Sequence, residues 1–233
     1  MDEAHNGRDP NSSTDENARN FRSIKKALLQ RGYKNSLLPR EEMMKVIGRN
    51  VRTAPHVENF EKEVKRSGKS YSILVQVFFG PSGIDESSTA FHGFFRDALM
   101  NSSIMMYDGH SGLGGHLDLA SLEEAYGKKF QPNKNRYQIY FFNSCTSYTY
   151  YNTMYFGRKK TAADRKGTRN LDIMTNGLAT YFAVMHDTNL AVVRAVEAWA
   201  SGQATVSYQA IAKAIDSDNL FGVNGDEDNP TEE

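Results

Sequence analysis

The 233 residues carry 28 Lys plus Arg against 28 Asp plus Glu, with 39% hydrophobic and 11% aromatic side chains. That length and apolar content exclude wholesale disorder, and the balanced charge offers no field to draw in nucleic acid or an anionic membrane surface. A single cysteine excludes an internal disulfide framework and a cysteine-rich zinc site. No apolar run approaches the roughly 20 residues of a membrane span, and the N-terminus has neither a basic nor an apolar signal region. The chain reads as soluble, while its compartment, cytoplasmic or secreted after loss of a signal peptide, stays open.

Residues 1–20 are polar and rich in Asn, Asp and Ser, and read as a loose arm. Phe21, Ile24, Ala27 and Leu28 have helical spacing, with Gly32 as a stop. Pro39 opens a second helix through Ile47, and Glu58 to Arg66 reads as a charged helical piece. Tyr71 to Phe79 is the most strand-like run, closed by Gly80-Pro81, and suits a strand buried on both faces. Ser87 or Ser88 then caps a helix whose Phe91, Phe94, Phe95, Ala98 and Leu99 form one apolar stripe.

Two apolar runs follow that each stop at a polar turn. Ile104 to Asp108 leads into Gly109-His110-Ser111-Gly112, and Tyr137 to Asn143 leads into Ser144-Cys145. Between them Asp118 can cap a helix that Gly127 ends, so strand, helix and strand make a parallel βαβ unit. Reactive groups gather at the carboxyl ends of such strands, which makes His110 and Cys145 neighbours in space. A thiolate beside a histidine is equipped for acyl transfer: the His deprotonates the thiol and later protonates the leaving amine. Backbone amides around Cys145 and around Gly109 and Ser111 are the natural oxyanion donors, and Asp108 or Asn143 could orient the His.

Beyond Cys145, Tyr148 to Phe156 begins a helix, whose aromatic residues either line a cleft or pack in the core. A basic loop runs to Asn170, Leu171 to Thr175 is a short strand, and Asp187 or Thr188 caps a long helix ending near Gly202. Tyr208 to Ile215 is a last helix, and from Asp216 the chain reads as an acidic, frayed tail. The organisation expected is an arm over 1–20, one α/β domain over 21–215 and a tail over 216–233. Alternating elements predict a three-layer domain with a mostly parallel central sheet and helices on both faces.

Tyr107-Asp108-Gly109-His110 and Phe142-Asn143-Ser144-Cys145 resemble the two strand-end motifs of the caspase-like (clan CD) cysteine peptidases, above all the gingipain branch. Leu28 to Tyr33 resembles the first helix end of that domain, and Phe221 to Asp226 loosely resembles a Gly-Asp turn near its end. The resemblance implies a cysteine endopeptidase with Cys145 as nucleophile, His110 as general base and acid, a protein or peptide as substrate, and no cofactor. It also implies cleavage during maturation in the loop after the Cys strand. The family places Gly directly after the His, where this chain has Ser111, and no specificity residue can be carried over.

Other readings of the same residues are weighed beside it. The Ser111 departure admits a catalytically inactive binding module of the same fold. Asp108-Gly109-His110 also resembles the metal-binding motif of protein phosphatase 2C, although the further aspartates of a two-metal site are missing. His116 could join His110 and Asp118 on a metal, though a solvated cap neighbour is the ordinary role. His92 and His186 read as surface or cap residues. Asp216, Asp218, Asp226 and Asp228 admit a calcium-binding reading but lack the glycine and terminal glutamate of an EF-hand loop, so a solvated tail is the ordinary role.

Overall fold

The computed structural model describes residues 9–51, 54–81, 89–203, 205–215 and 220–229. It is an α/β protein whose described residues form two compact units, one from Met1–Pro81 with Tyr181–Asp216 and one from Ser82–Thr180 with Ser217–Glu233. Among the described residues no helix is long and apolar enough to cross a membrane.

The first unit opens with α1 (Glu16–Gln30), whose cap residue Asp15 accepts hydrogen bonds from the amides of Asn17 and Ala18. The helix therefore starts inside the polar stretch read as an arm, because an Asp cap satisfies amides that would otherwise be orphaned. A four-residue strand, β1 (Lys34–Leu37), precedes α2 (Arg40–Ile47), which Pro39 opens as expected and Gly48 ends in a left-handed conformation.

The charged run expected to be helical is instead β2 (His56–Arg66). It pairs antiparallel with β3 (Lys69–Phe79) over its whole length, and β1 pairs on its other side, giving the order β1-β2-β3. Ser67 and Gly68 both have positive φ, as the tight turn of a two-residue hairpin requires. Apolar Val57, Phe60 and Val64 mimic helical spacing, but Glu58 and Lys62 on the covered face have ionic partners that let a strand bury them. Glu58, 1% exposed, bonds Lys25 at 2.8 Å, His56 at 2.7 Å and Asn35 at 2.7 Å. Lys62 reaches Glu197 at 3.1 Å.

Glu197 lies on α6 (Phe182–Ala200), where Arg31 also holds it. The expected caps Asp187 and Thr188 are inside α6, which begins earlier at the cap position Tyr181. The final helix, α7 (Tyr208–Ile215), has the expected bounds. The β3 run is an edge strand of this sheet with alternating exposure, so it is neither buried on both faces nor part of the parallel sheet.

The second unit carries α3 (Thr89–Asn101), β4 (Ile104–Asp108), α4 (Leu119–Tyr126), β5 (Gln138–Asn143), α5 (Ser147–Lys159), β6 (Leu171–Asn176) and β7 (Phe221–Asn224). The proposed caps Ser87 and Ser88 lie outside the described residues. Strand order is β4-β5-β6-β7, with the first three parallel and β7 antiparallel to β6. The segment read as a frayed tail thus supplies a sheet strand, because Phe221 packs against Phe141 with ring centroids 5.8 Å apart.

β6 is buried at every position, the hallmark of a central parallel strand. Tyr107, Tyr140 and Phe142 meet Phe91 of α3 and Tyr151 and Tyr155 of α5 in ring contacts. The Tyr140 hydroxyl also donates to the Leu99 carbonyl at 2.7 Å. One face of the sheet therefore carries α3 and α5, with α4 joined to α3 through the Tyr126 and His92 rings. Asp118 caps α4 by accepting from the Ser121 amide at 2.8 Å, and Gly127 ends it in a left-handed turn, both as expected.

Candidate active site

In the register of the parallel pair, Tyr107 lies beside Phe142 and Asp108 beside Asn143. The Gly109 amide extends the ladder by donating to the Asn143 carbonyl at 3.4 Å. His110 and Cys145 are each two residues past that last register pair. They therefore leave neighbouring strands at the same carboxyl edge.

The His110 loop is held from beneath. The Tyr107 hydroxyl donates to the His110 carbonyl at 2.8 Å, and the His116 Nδ1 donates to the same carbonyl at 3.1 Å. The His110 and His116 rings stand nearly perpendicular, 6.3 Å apart. Ser111 is buried, and its carbonyl accepts from the Gly114 amide, the His116 amide and, at 3.1 Å, the Tyr151 hydroxyl. Burial, with the charges of Tyr107 and Tyr150 a lesser cause, pushes Tyr151 far above the usual phenol range, which keeps it a donor.

The next three residues, Gly112, Leu113 and Gly114, all have positive φ and form the start of a 3-10 turn ending at Leu117. A Cβ on Gly112 would sit 2.3 Å from the His116 ring, so glycine is required there. Leu113 is 86% exposed in a conformation costly for a leucine.

Cys145 is half-buried in the turn between β5 and α5. Its sulfur accepts from the Thr180 amide at 3.4 Å and lies 3.7 Å from the Thr180 Oγ1. Thr146 takes a left-handed conformation at the cap of α5, and its amide donates to the Leu178 carbonyl at 3.0 Å. Below this turn Asn143, 2% exposed, accepts from the Asn176 side chain at 3.1 Å, and Ser147 bridges the Phe142 carbonyl and the Asn176 amide. The Asn143 carbonyl and side-chain oxygen are thus both engaged, and Asp108 closes β4 beside it.

Thr180 and Asn176 carry no motif in the sequence, and Tyr107, though part of the first motif, has no role there until its hydroxyl is seen on the His110 carbonyl. Thr180 follows the third parallel strand, and the rule that reactive groups gather at carboxyl ends of such strands points to that loop as well. The aromatic stretch after Cys145 divides: Tyr151 and Tyr155 are fully buried, while Tyr148 is exposed. His92, expected as a surface or cap residue, is 1% exposed and packs on Phe91 and Tyr126, because α3 is covered on two sides. His186 bonds the side chain of Asn20.

Asp118 is occupied as a helix cap, and among the described residues no group of three His, Cys, Asp or Glu could hold a metal. Of the aspartates weighed for calcium, Asp216 and Asp218 lie outside the described residues. Asp226 opens a short turn after Gly225. No family model, no curated protein and no solved structure matches this chain.

Proposed function

We propose that this protein is a cysteine endopeptidase of the caspase-like kind, with Cys145 as nucleophile and His110 as general base and acid. The observation that carries the reading is the parallel register of β4 and β5, which sets both residues two positions beyond paired strand ends. In the reaction His110 takes the thiol proton as Cys145 Sγ attacks the scissile carbonyl carbon. The tetrahedral oxyanion collapses with cleavage of the C–N bond, and His110 gives its proton to the leaving amine. Water, deprotonated by His110, then attacks the thioester, and the carboxylate product leaves as the thiol is re-formed.

Thr180 holds the sulfur in place through its amide, which donates to Cys145 Sγ at 3.4 Å. Tyr107, Ser111 and Tyr151 fix the His110 loop so that the base needs no reordering. Asp108 and Asn143 end the paired strands, and Gly109 begins the turn that carries His110. A caspase-like three-layer arrangement is part of this proposal.

A non-catalytic binding module has one observation in its favour. The amides of Gly109 and Thr146, which flank the two motif turns, are already engaged by the carbonyls of Asn143 and Leu178. An active site would draw its oxyanion donors from the amides of Cys145 and the His110 turn.

The test is cleavage of a diverse peptide library, read by mass spectrometry, by the intact protein and by its Cys145→Ala and His110→Ala variants. The expected result is cleavage that falls by about a thousandfold or more in both variants. Equal cleavage by all three would remove the Cys145 and His110 assignment, and none by the intact protein even after limited proteolysis would replace the peptidase reading with the binding module.

A further inference from the structure

β3 is an edge strand of 11 residues that pairs with β2 alone among the described strands. Its register with β2 runs from Lys69 to Phe79 without a bulge, and no charge, proline or glycine interrupts Ser70 to Phe79. Edge strands are ordinarily blunted by such devices, since their open amides and carbonyls template pairing with another chain. The opposite edge is blunted, for β1 has four residues and begins with Lys34. On the face that carries Glu58 and Phe60 in β2, the β3 residues Tyr71, Ile73, Val75 and Val77 are only half-buried. Tyr71 meets the Trp199 ring at 6.2 Å between centroids and Val77 packs on Ala18, Phe21 and Phe79, while no further described strand flanks the stripe.

The pattern along β3 is self-complementary. Leu74 is the midpoint of the strand, lies on the polar outer face opposite Glu61, and is 56% exposed. We propose that two copies of this chain pair antiparallel through β3 about a two-fold axis at Leu74, making a continuous six-stranded sheet. This register sets Leu74 against Leu74 of the second copy, Ile73 against Val75, and Tyr71 against Val77, so the half-buried stripes continue into each other. The one charge of the strand, Lys69, then meets Phe79 and never its own copy. Parallel pairing in register would face the two lysines. An exposed leucine at the strand midpoint and a charge confined to one end favour a second copy over an unrelated peptide.

The experiment is the mass of the intact protein across a concentration series by sedimentation, beside L74K and L74E, with circular dichroism as the check on folding. Leu74 is exposed, so both variants keep the fold. The expected result is a dimer for the native chain and a dissociation constant raised at least about tenfold in each variant, by like charges meeting on the axis. Mixing the two variants restores the dimer as a heterodimer. A native chain monomeric at every concentration overturns the proposal, as does a dimer indifferent to L74K. Failure of the mixture to pair overturns the placement of the axis at Leu74.

Discussion

Tyr107 and Gly109 hold their conformations jointly: a Cβ on Gly109 would stand 2.7 Å from the Tyr107 hydroxyl, the same hydroxyl that donates to the His110 carbonyl at 2.8 Å. The turn that presents His110 is therefore built over an aromatic side chain from its own strand. Gly109→Ala must displace that side chain, and with it the carbonyl of His110. The expected effects are a loss of about 1 to 2 kcal/mol in unfolding free energy and a larger fall in any peptidase kcat than in KM. Tyr107→Phe removes the hydrogen bond alone and should cost about 1 kcal/mol. Urea denaturation beside steady-state kinetics checks both, and a Gly109→Ala protein as stable and active as the native one would overturn the account.

Glu123 on α4 is clamped by a two-pronged contact from Arg158 of α5, at 2.8 and 3.1 Å, by Lys129, and by the amide of Phe130. Replacing the carboxylate by an amide removes the charge and one acceptor oxygen, so the Phe130 amide and the Arg158 guanidinium compete for the oxygen that remains. Glu123→Gln should lose about 2 kcal/mol of stability, and Arg158→Met about as much. The double variant should cost less than the sum of the two. Additive losses would show that the residues do not act as a pair.

Three glutamates titrate below the ordinary value of 4.5. Burial works against the charge on each. At Glu58 the hydrogen bonds from Lys25, His56 and Asn35 outweigh it, at Glu123 those from Phe130, Lys129 and Arg158, and at Glu197 those from Arg31 and Lys62. The unfolded chain therefore takes up these protons first as the pH falls. Their stabilisation is complete above about pH 4.5 and is lost below it. Denaturation curves between neutral pH and pH 3 should show a falling midpoint, and Glu197→Gln should lessen the slope.

Lys159 is 1% exposed, and its ammonium donates to the carbonyls of Asn133 and Arg136 and to the Gln138 side chain at 2.7 to 2.8 Å. Burial, and then the charge of Arg136, push it down to about 8 from 10.5. Between those values the unfolded chain keeps a proton that the folded chain releases, so this lysine adds stability as the pH rises through that window. Lys159→Met should abolish that rise while lowering stability at neutral pH, by about 2 kcal/mol, through three orphaned acceptors. Matching slopes in the two proteins above pH 8 would contradict the assignment.

Local chemistry made much of the fold legible in the sequence alone. Pro39 ahead of α2, Asp118 and Gly127 around α4, and the apolar runs of β4, β5 and β6 act within a few residues of where they stand. The common carboxyl edge of His110 and Cys145 was legible for the same reason, since a strand that ends in a turn announces its carboxyl edge. What only the tertiary structure decided depends on partners distant in sequence. The run from His56 to Arg66 has apolar residues at helical spacing, yet it is a strand because Lys25 and Glu197 neutralise the charges its covered face buries. Phe221 to Asn224 reads as part of an acidic tail until β6 offers an edge and Phe141 a ring to pack against. The division into two sheets, the burial of His92, and the pairing of Cys145 with Thr180 belong to this second class. Each is set by which surfaces meet across the chain, and propensity near the residue carries no record of that.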